Sequence, residues 1–150
     1  MYTLNLPEYD FRIIKENDKL KIFDSLRKKF VALTPEEWVR QNFLKWLCKE
    51  KQYPMSLISV EKGLKYNKLQ KRSDAVVYDR NGNPVMIIEF KAPSVEINND
   101  TINQIASYNF TINASYLVVT NGLQHFCLKK DSQNLSFSFI ENIPDYEDLE

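Results

Sequence analysis

Asp74, Glu89 and Lys91 are the side chains whose chemistry belongs together in this sequence. They lie in RSDAVVYDRNGNPVMIIEFKAP (72–93), where two apolar runs, Ala75 to Tyr78 and Val85 to Ile88, flank Asn81-Gly82. Asn-Gly favours the positive φ angles of a two-residue hairpin turn. With that pair as the turn, Arg80 faces Asn83, and the same register carried back along both strands sets Asp74 opposite Glu89. Opposed residues have Cβ atoms about 4.5–5.5 Å apart, and like charges there repel. Side chains alternate along a strand, so Glu89 and Lys91 share a face, roughly 7 Å apart. A hard divalent cation, Mg²⁺ or its substitute Mn²⁺, would offset the repulsion, because such ions combine one or two carboxylates with substrate phosphate. An ammonium beside it can steady charge on a phosphate or orient an attacking water. The competing reading is an exposed hairpin carrying solvated charges, since Glu-x-Lys alone is a weak signal. Against it stands the nearly continuous apolar run Val85, Met86, Ile87, Ile88 and Phe90, as in a strand covered on both faces. Charges at the end of such a strand are costly unless used.

The rest of the chain bounds what surrounds that hairpin. With 150 residues, 43% apolar and 13% aromatic, the sequence suits one globular domain with a real core. Lys and Arg total 20, as do Asp and Glu, so no global field draws the chain to nucleic acid or anionic membrane. Polyanion binding requires a local patch. Two cysteines, Cys48 and Cys127, and a single histidine, His125, leave disulfide frameworks, zinc sites and histidine-based nucleophilic triads poorly supported. The start of the chain carries no secretory pattern and no run approaches membrane-spanning length. A reducing cytoplasm is the expected location.

Residues 1–33 mix short apolar pieces with charge, and IFDSLRKKF reads as one strand or a helical turn. Thr34-Pro35-Glu36-Glu37 is a helix start, with an N-cap, proline at the first position, and Glu37 at the capping-box position. Val39, Phe43, Trp46 and Leu47 recur at helical spacing, which predicts a helix from about Pro35 to Lys51. Trp38, Phe43 and Trp46 read as core, and Arg40 and Gln41 as solvated. Ser56 to Val60 reads as a strand, followed by a basic connector over 62–72 and then the hairpin. A helix near Asp100 to Thr111, a strand Ser115 to Thr120, its partner His125 to Lys129, and a further strand Leu135 to Ile140 complete the order. His125 is assigned no chemistry, and 141–150 reads as an acidic tail, frayed or lying on the surface. The fold class is α/β, a central mixed sheet flanked by helices.

This order, with an acid in the first helix and an Asp…Glu-x-Lys hairpin, resembles the restriction-endonuclease-like PD-(D/E)xK fold and its αβββαβ core. More narrowly, TPEEWVRQNFLKWL, KRSDAVVYDRNGNPVMIIEFKAP and NQIASYNFTINASYLVVTNG resemble the amino-terminal nuclease domain of type I restriction enzyme restriction subunits. The resemblance implies a single nuclease-like domain with a core of about 34–130, an N-terminal extension over 1–33 and the tail over 141–150. It implies Asp74, Glu89 and the first-helix Glu37 as metal ligands, Lys91 as the catalytic lysine, and Gln104 and Tyr108 as the QxxxY pair that positions substrate or lysine. Ser73 replaces the family's proline, touching no ligand. Each residue keeps a plainer alternative: capping for Glu37, a surface hydrogen bond or sheet packing for Gln104 and Tyr108, and a solvated connector for Lys71 and Arg72, which otherwise would contact phosphates. The implied function is Mg²⁺-dependent hydrolysis of DNA, with a possible homodimer. The competing function is a non-catalytic binding or assembly module of a restriction system, partnered with a motor or methyltransferase subunit. No GxxxxGK[ST] motif is present, so these residues encode no ATP-driven motor of their own.

Overall fold

A computed structural model describes residues 2–60, 74–131, 133 and 136–149, with only the backbone of Tyr108, Phe110 and Thr111. The basic connector, including Lys71 and Arg72, lies outside the described residues.

The first helix, α1 (Pro35–Glu50), begins and ends where its sequence punctuation dictates. Thr34 stays extended and its hydroxyl accepts from the Glu37 N–H at 3.0 Å, with Pro35 at the first turn where its missing N–H costs nothing. Its last turn closes through the Lys51 N–H to the Leu47 carbonyl, and the left-handed Gln52 and then Pro54 follow. A short 3₁₀ turn, Met55–Leu57, leads into a strand of only three residues, β4 (Ile58–Val60), shorter than the sequence run implies. The hairpin strands are β5 (Ala75–Tyr78) and β6 (Pro84–Phe90). The second helix, α2 (Asn99–Ile112), is capped by the Asn98 side chain and closed by left-handed Asn113. It crosses over to β7 (Tyr116–Thr120), which runs parallel to β6, and β8 (His125–Lys130) and β9 (Phe137–Ile140) add antiparallel strands. The six strands are paired in sequence order, β4 through β9.

Each face of this sheet buries one helix. Val39, Phe43, Leu44 and Leu47 of α1 pack on Ala75, Val77, Met86, Ile88 and Phe90, while Ile102 and Ile105 of α2 pack on Val76, Ile87, Leu117 and Val119. The near-continuous apolar sequences of β6 and β7 follow from this double coverage, since successive side chains must satisfy opposite cores. The order helix, three strands, helix, strand agrees with the expected αβββαβ core.

Two parts of the chain depart from expectation. The N-terminal extension is a three-stranded antiparallel sheet, with β1 (Ile13–Glu16), β2 (Lys19–Asp24) and β3 (Lys29–Ala32). Its strands carry so many charges that apolar alternation alone does not reveal them. The acidic tail is anchored: Ile143 and Tyr146 are buried, the Tyr146 hydroxyl donates to the Tyr78 carbonyl at 2.8 Å, and the Tyr53 hydroxyl donates to the Pro144 carbonyl at 2.9 Å. Two apolar anchors outweigh the surrounding acids.

Candidate active site

The hairpin turn differs from the two-residue one its Asn-Gly suggests. The Asp79 carbonyl accepts from Gly82, and Asp79 N–H donates to the Asn83 carbonyl, so Arg80, Asn81 and Gly82 form a three-residue loop. Asp79 Oδ1 holds the loop by accepting from the Asn81 and Asn83 N–H groups, and Gly82 takes the positive φ of +85°. This loop shifts the pairing by one residue, to Tyr78 opposite Pro84, and a bulge beside Val77 and Tyr78 shifts it back to Val77 opposite Met86. The two offsets cancel. Ala75 therefore faces Ile88, and Asp74 stands opposite Glu89 just past the paired stretch.

Asp74 Oδ2 accepts from the Phe90 N–H at 2.8 Å, which ties the carboxylate across to the end of β6. Glu89 is mostly buried at the same end, beside β7, where it pairs with Val119. Burial, then the neighbouring Asp74 charge, push its carboxyl up to about 8, against the opposing pull of Lys91. Glu36 adds to the upward push. Lys91 Nζ lies 3.6 Å from Glu89 Oε1, and the Lys91 N–H donates to the Thr120 carbonyl, which fixes the lysine at the sheet's end. Thus Asp74, Glu89 and Lys91 are brought together.

Glu37 is buried, but its carboxylate is fully engaged. It accepts from Arg27 Nη2 at 2.9 Å, Arg40 Nη1 at 2.6 Å and Gln41 Nε2 at 2.9 Å. Its side chain does not close the capping box; only the Thr34 half of that motif is made. Arg40 and Gln41, read from sequence as solvated, are buried for this reason. Arg40 links the two halves of the site, with Nη2 at 3.8 Å from Asp74 Oδ1 and 3.4 Å from Glu36 Oε2, and its guanidinium over the Phe90 ring. Among the described residues its Nε is buried without a partner. Arg27 in turn is held by Asp24. Glu37 therefore meets Asp74 through an arginine, and among the described residues no three His, Cys, Asp or Glu side chains converge to hold a metal.

Gln104 is exposed on α2, its carbonyl accepting from the Ser107 hydroxyl, and among the described residues no hydrogen bond joins its side chain to the acid pair. Tyr108 lies one turn further along the same helix. Phe43 is core as read, while Trp38 and Trp46 are half-buried. His125 is structural: Nε2 donates to the Asn5 carbonyl at 3.0 Å and Nδ1 accepts from the Thr120 hydroxyl at 2.7 Å. Burial pushes its pKa down against the opposing effect of the Asn5 bond, and the ring pins the N-terminal segment to β7 and β8.

Glu36, Arg27 and Asp24 belong to this cluster and are not evident from sequence. Glu36 and Arg40 are four apart on α1, a helical spacing that pairs them. Nothing local signals that Arg27, in the β2–β3 turn, reaches α1.

The donor set fits a hard divalent ion. Two carboxylates share one site, one of them held neutral by burial and repulsion, and a cation would relieve both. The described residues would supply two carboxylate ligands, leaving the remaining positions to water and substrate oxygen.

A six-stranded mixed sheet between two helices, with an acid pair at the end of its central hairpin, is the restriction-endonuclease-like α/β architecture. Residues 35–144 match the family described as Type I restriction enzyme R protein N terminus (HSDR_N), and the chain belongs to that family. It is similar in fold to a solved structure described as the fragment structure of a putative HsdR subunit of a type I restriction enzyme from Vibrio vulnificus YJ016, with a TM-score of 0.55 at 18% identity. That match covers 79% of this chain and 25% of the fragment, so the chain spans about a quarter of its relative's length. No curated protein matches the sequence. No helix among the described residues is long and apolar enough to cross a membrane.

Proposed function

We propose that this domain is a Mg²⁺-dependent endonuclease that hydrolyses phosphodiester bonds of DNA, acting within a restriction system. The observation that carries this reading is the meeting of Asp74, Glu89 and Lys91 at one end of the sheet, with Glu89 largely buried beside a second acid. Asp74 and Glu89 would hold the ion. The ion, when bound, supplies a Lewis acid for the phosphate and lowers the pKa of a coordinated water. Lys91, 3.6 Å from Glu89, is positioned to orient that water or to donate to a phosphate oxygen as charge develops there. Phe90 N–H keeps Asp74 in place, and Arg40 balances the charge of Asp74, Glu36 and Glu37 from the helix side. Glu37 acts here as the anchor of two arginines, with Gln104 and Tyr108 as more distant candidates for substrate contact.

Lys91→Ala removes the ammonium and leaves the β6 backbone bond to Thr120 available. Cleavage of supercoiled plasmid in Mg²⁺ by the parent, and its loss in a folded Lys91→Ala protein, is the expected outcome. Equal cleavage by the two proteins would refute the assignment.

A second reading, a non-catalytic binding or assembly module, draws support from the engagement of Glu37 by three donors, which leaves Asp74 and Glu89 as the acids of the hairpin end among the described residues. It also fits a domain that spans a quarter of its structural relative. A motor or methyltransferase subunit would then be its partner.

A further inference from the structure

The N-terminal sheet lies outside residues 35–144, which carry the family match, and its charge is unlike the rest of the chain. Residues 12–32 contain Arg12, Lys15, Lys19, Lys21, Arg27, Lys28 and Lys29 against Glu16, Asp18 and Asp24, a net charge of +4. Because the whole chain is neutral, the remainder carries −4. The wing is therefore a concentration of positive charge in a neutral chain, the other being the connector over 62–72.

The wing is built to present that charge. Ile22 and Asp24 turn inward and are buried, while Lys19, Lys21 and Phe23 alternate onto the opposite face of β2. The Asn17-Asp18 turn, with φ of 52° and 63°, joins β1 to β2 tightly, so the surface is a short rigid meander. Arg12 lies over two rings, 5.7 Å from the Phe23 centroid and 5.2 Å from that of Phe30, and those rings meet edge-on at 5.3 Å. Stacking holds the guanidinium flat and exposed, which lowers the ordering cost of a two-pronged phosphate contact. Arg12, Lys15, Lys19, Lys28 and Lys29 are exposed, and among the described residues none has a carboxylate within ion-pair distance.

The wing is also tied to the site. Arg27, adjacent in sequence to Lys28 and Lys29, bonds both Asp24 and the α1 residue Glu37, and Glu37 shares Arg40 with Asp74. The turn that carries Lys28 is thus joined to the acid pair through Arg27, Glu37 and Arg40. From this placement we propose that the N-terminal three-stranded sheet is the docking surface for the phosphate backbone of the DNA, outside the cleavage site itself. The inference rests on the DNA reading above and names where the affinity comes from.

The test is fluorescence anisotropy of the full chain with a labelled DNA duplex, without divalent metal, over a salt series. Each phosphate contact contributes about 0.9 to the slope of log affinity against log salt. Lys19→Ala/Lys28→Ala, which removes two cations from the face that carries Phe23 and Arg12, should weaken binding and flatten the slope by about 1.8, with circular dichroism and melting unchanged. Arg12→Ala should flatten it by about 0.9. Affinity and slope equal to the parent's would overturn the proposal. So would variants that keep DNA binding but lose binding to phosphatidylserine vesicles, which would make the wing a lipid surface. If wing-dependent binding is found while no cleavage occurs in Mg²⁺, the enzyme reading falls and this one stands; cleavage with wing-independent binding gives the reverse.

Discussion

Glu37→Ala is the substitution whose cost the structure sets most clearly. The carboxylate is 8% exposed and accepts from Arg27, Arg40 and Gln41 at 2.6–2.9 Å. Removing one member of a buried ion pair costs roughly 3–5 kcal/mol, because the partner charge is left without compensation, whereas an exposed pair contributes about 0–1 kcal/mol. Both arginines keep a partial partner, Arg27 on Asp24 and Arg40 near Glu36 and Asp74, so the lower end of that range applies. About 3 kcal/mol corresponds to a fall in melting temperature of roughly 6–12 °C for a chain of this size. The control is Glu16→Ala, which breaks an exposed pair with Lys21 and should shift melting only slightly. Calorimetric or circular-dichroism melting of the two variants checks this. A Glu37→Ala protein that melts within the shift of the Glu16→Ala control would refute the view that Glu37 anchors the two arginines.

Acid should expose the same network. Burial raises the Asp24 carboxyl, but hydrogen bonds from the Arg27 side chain and from the Arg27 and Leu26 N–H groups outweigh it, and the net folded pKa is lowered. A carboxylate with a depressed folded pKa stabilises fully above its unfolded value of about 4 and loses that contribution as pH falls below it. Urea midpoints followed from pH 5 downward should therefore drop more steeply for the parent than for Asp24→Asn; parallel curves would contradict the assignment. Gly122→Ala should destabilise more than Gly82→Ala, although φ is +86° and +85°: a Cβ at Gly122 would stand 2.7 Å from Leu4 Cδ2 and 3.1 Å from Val39 Cγ2, while at Gly82 it meets open space. Crowding of this kind costs about 1–3 kcal/mol beyond backbone strain, readable in urea denaturation.

The hairpin shows how much a sequence can say and where it stops. The register read from a two-residue turn agrees with the body of the hairpin because the longer loop and the bulge offset each other, leaving the apolar faces where burial requires them. The turn differs from its local preference: Asp79, whose side chain organises a three-residue loop, outcompetes the tendency of Asn81-Gly82 to form a two-residue one. The bulge that restores the pairing has no local signature in Pro84-Val85. Helix α1 was legible to within a residue because its cap, first-turn proline and periodicity agree. The N-terminal wing was not, since its core contribution is little more than Ile22 and the partly buried Phe23, Phe30 and Val31. Asn17-Asp18, between IIKE and KLKIFD, was the turn signal available there. Helical spacing pairs Arg40 with Glu36 and Glu37, but the reach of Arg27 to Glu37 and of Arg40 to Asp74 has no local signal, because those partners lie on separate elements. Tyr146 was hidden by the acids around it.

Isothermal titration of Mg²⁺ into the parent and into Asp74→Asn addresses the acid pair directly. The parent should bind one ion, more tightly at pH 9 than at pH 7, because the ion must displace the proton that burial and Asp74 keep on Glu89 up to about 8. Asp74→Asn should lose most of that binding. No heat from the parent at either pH, or the same isotherm from both proteins, would contradict a metal site at the end of this hairpin.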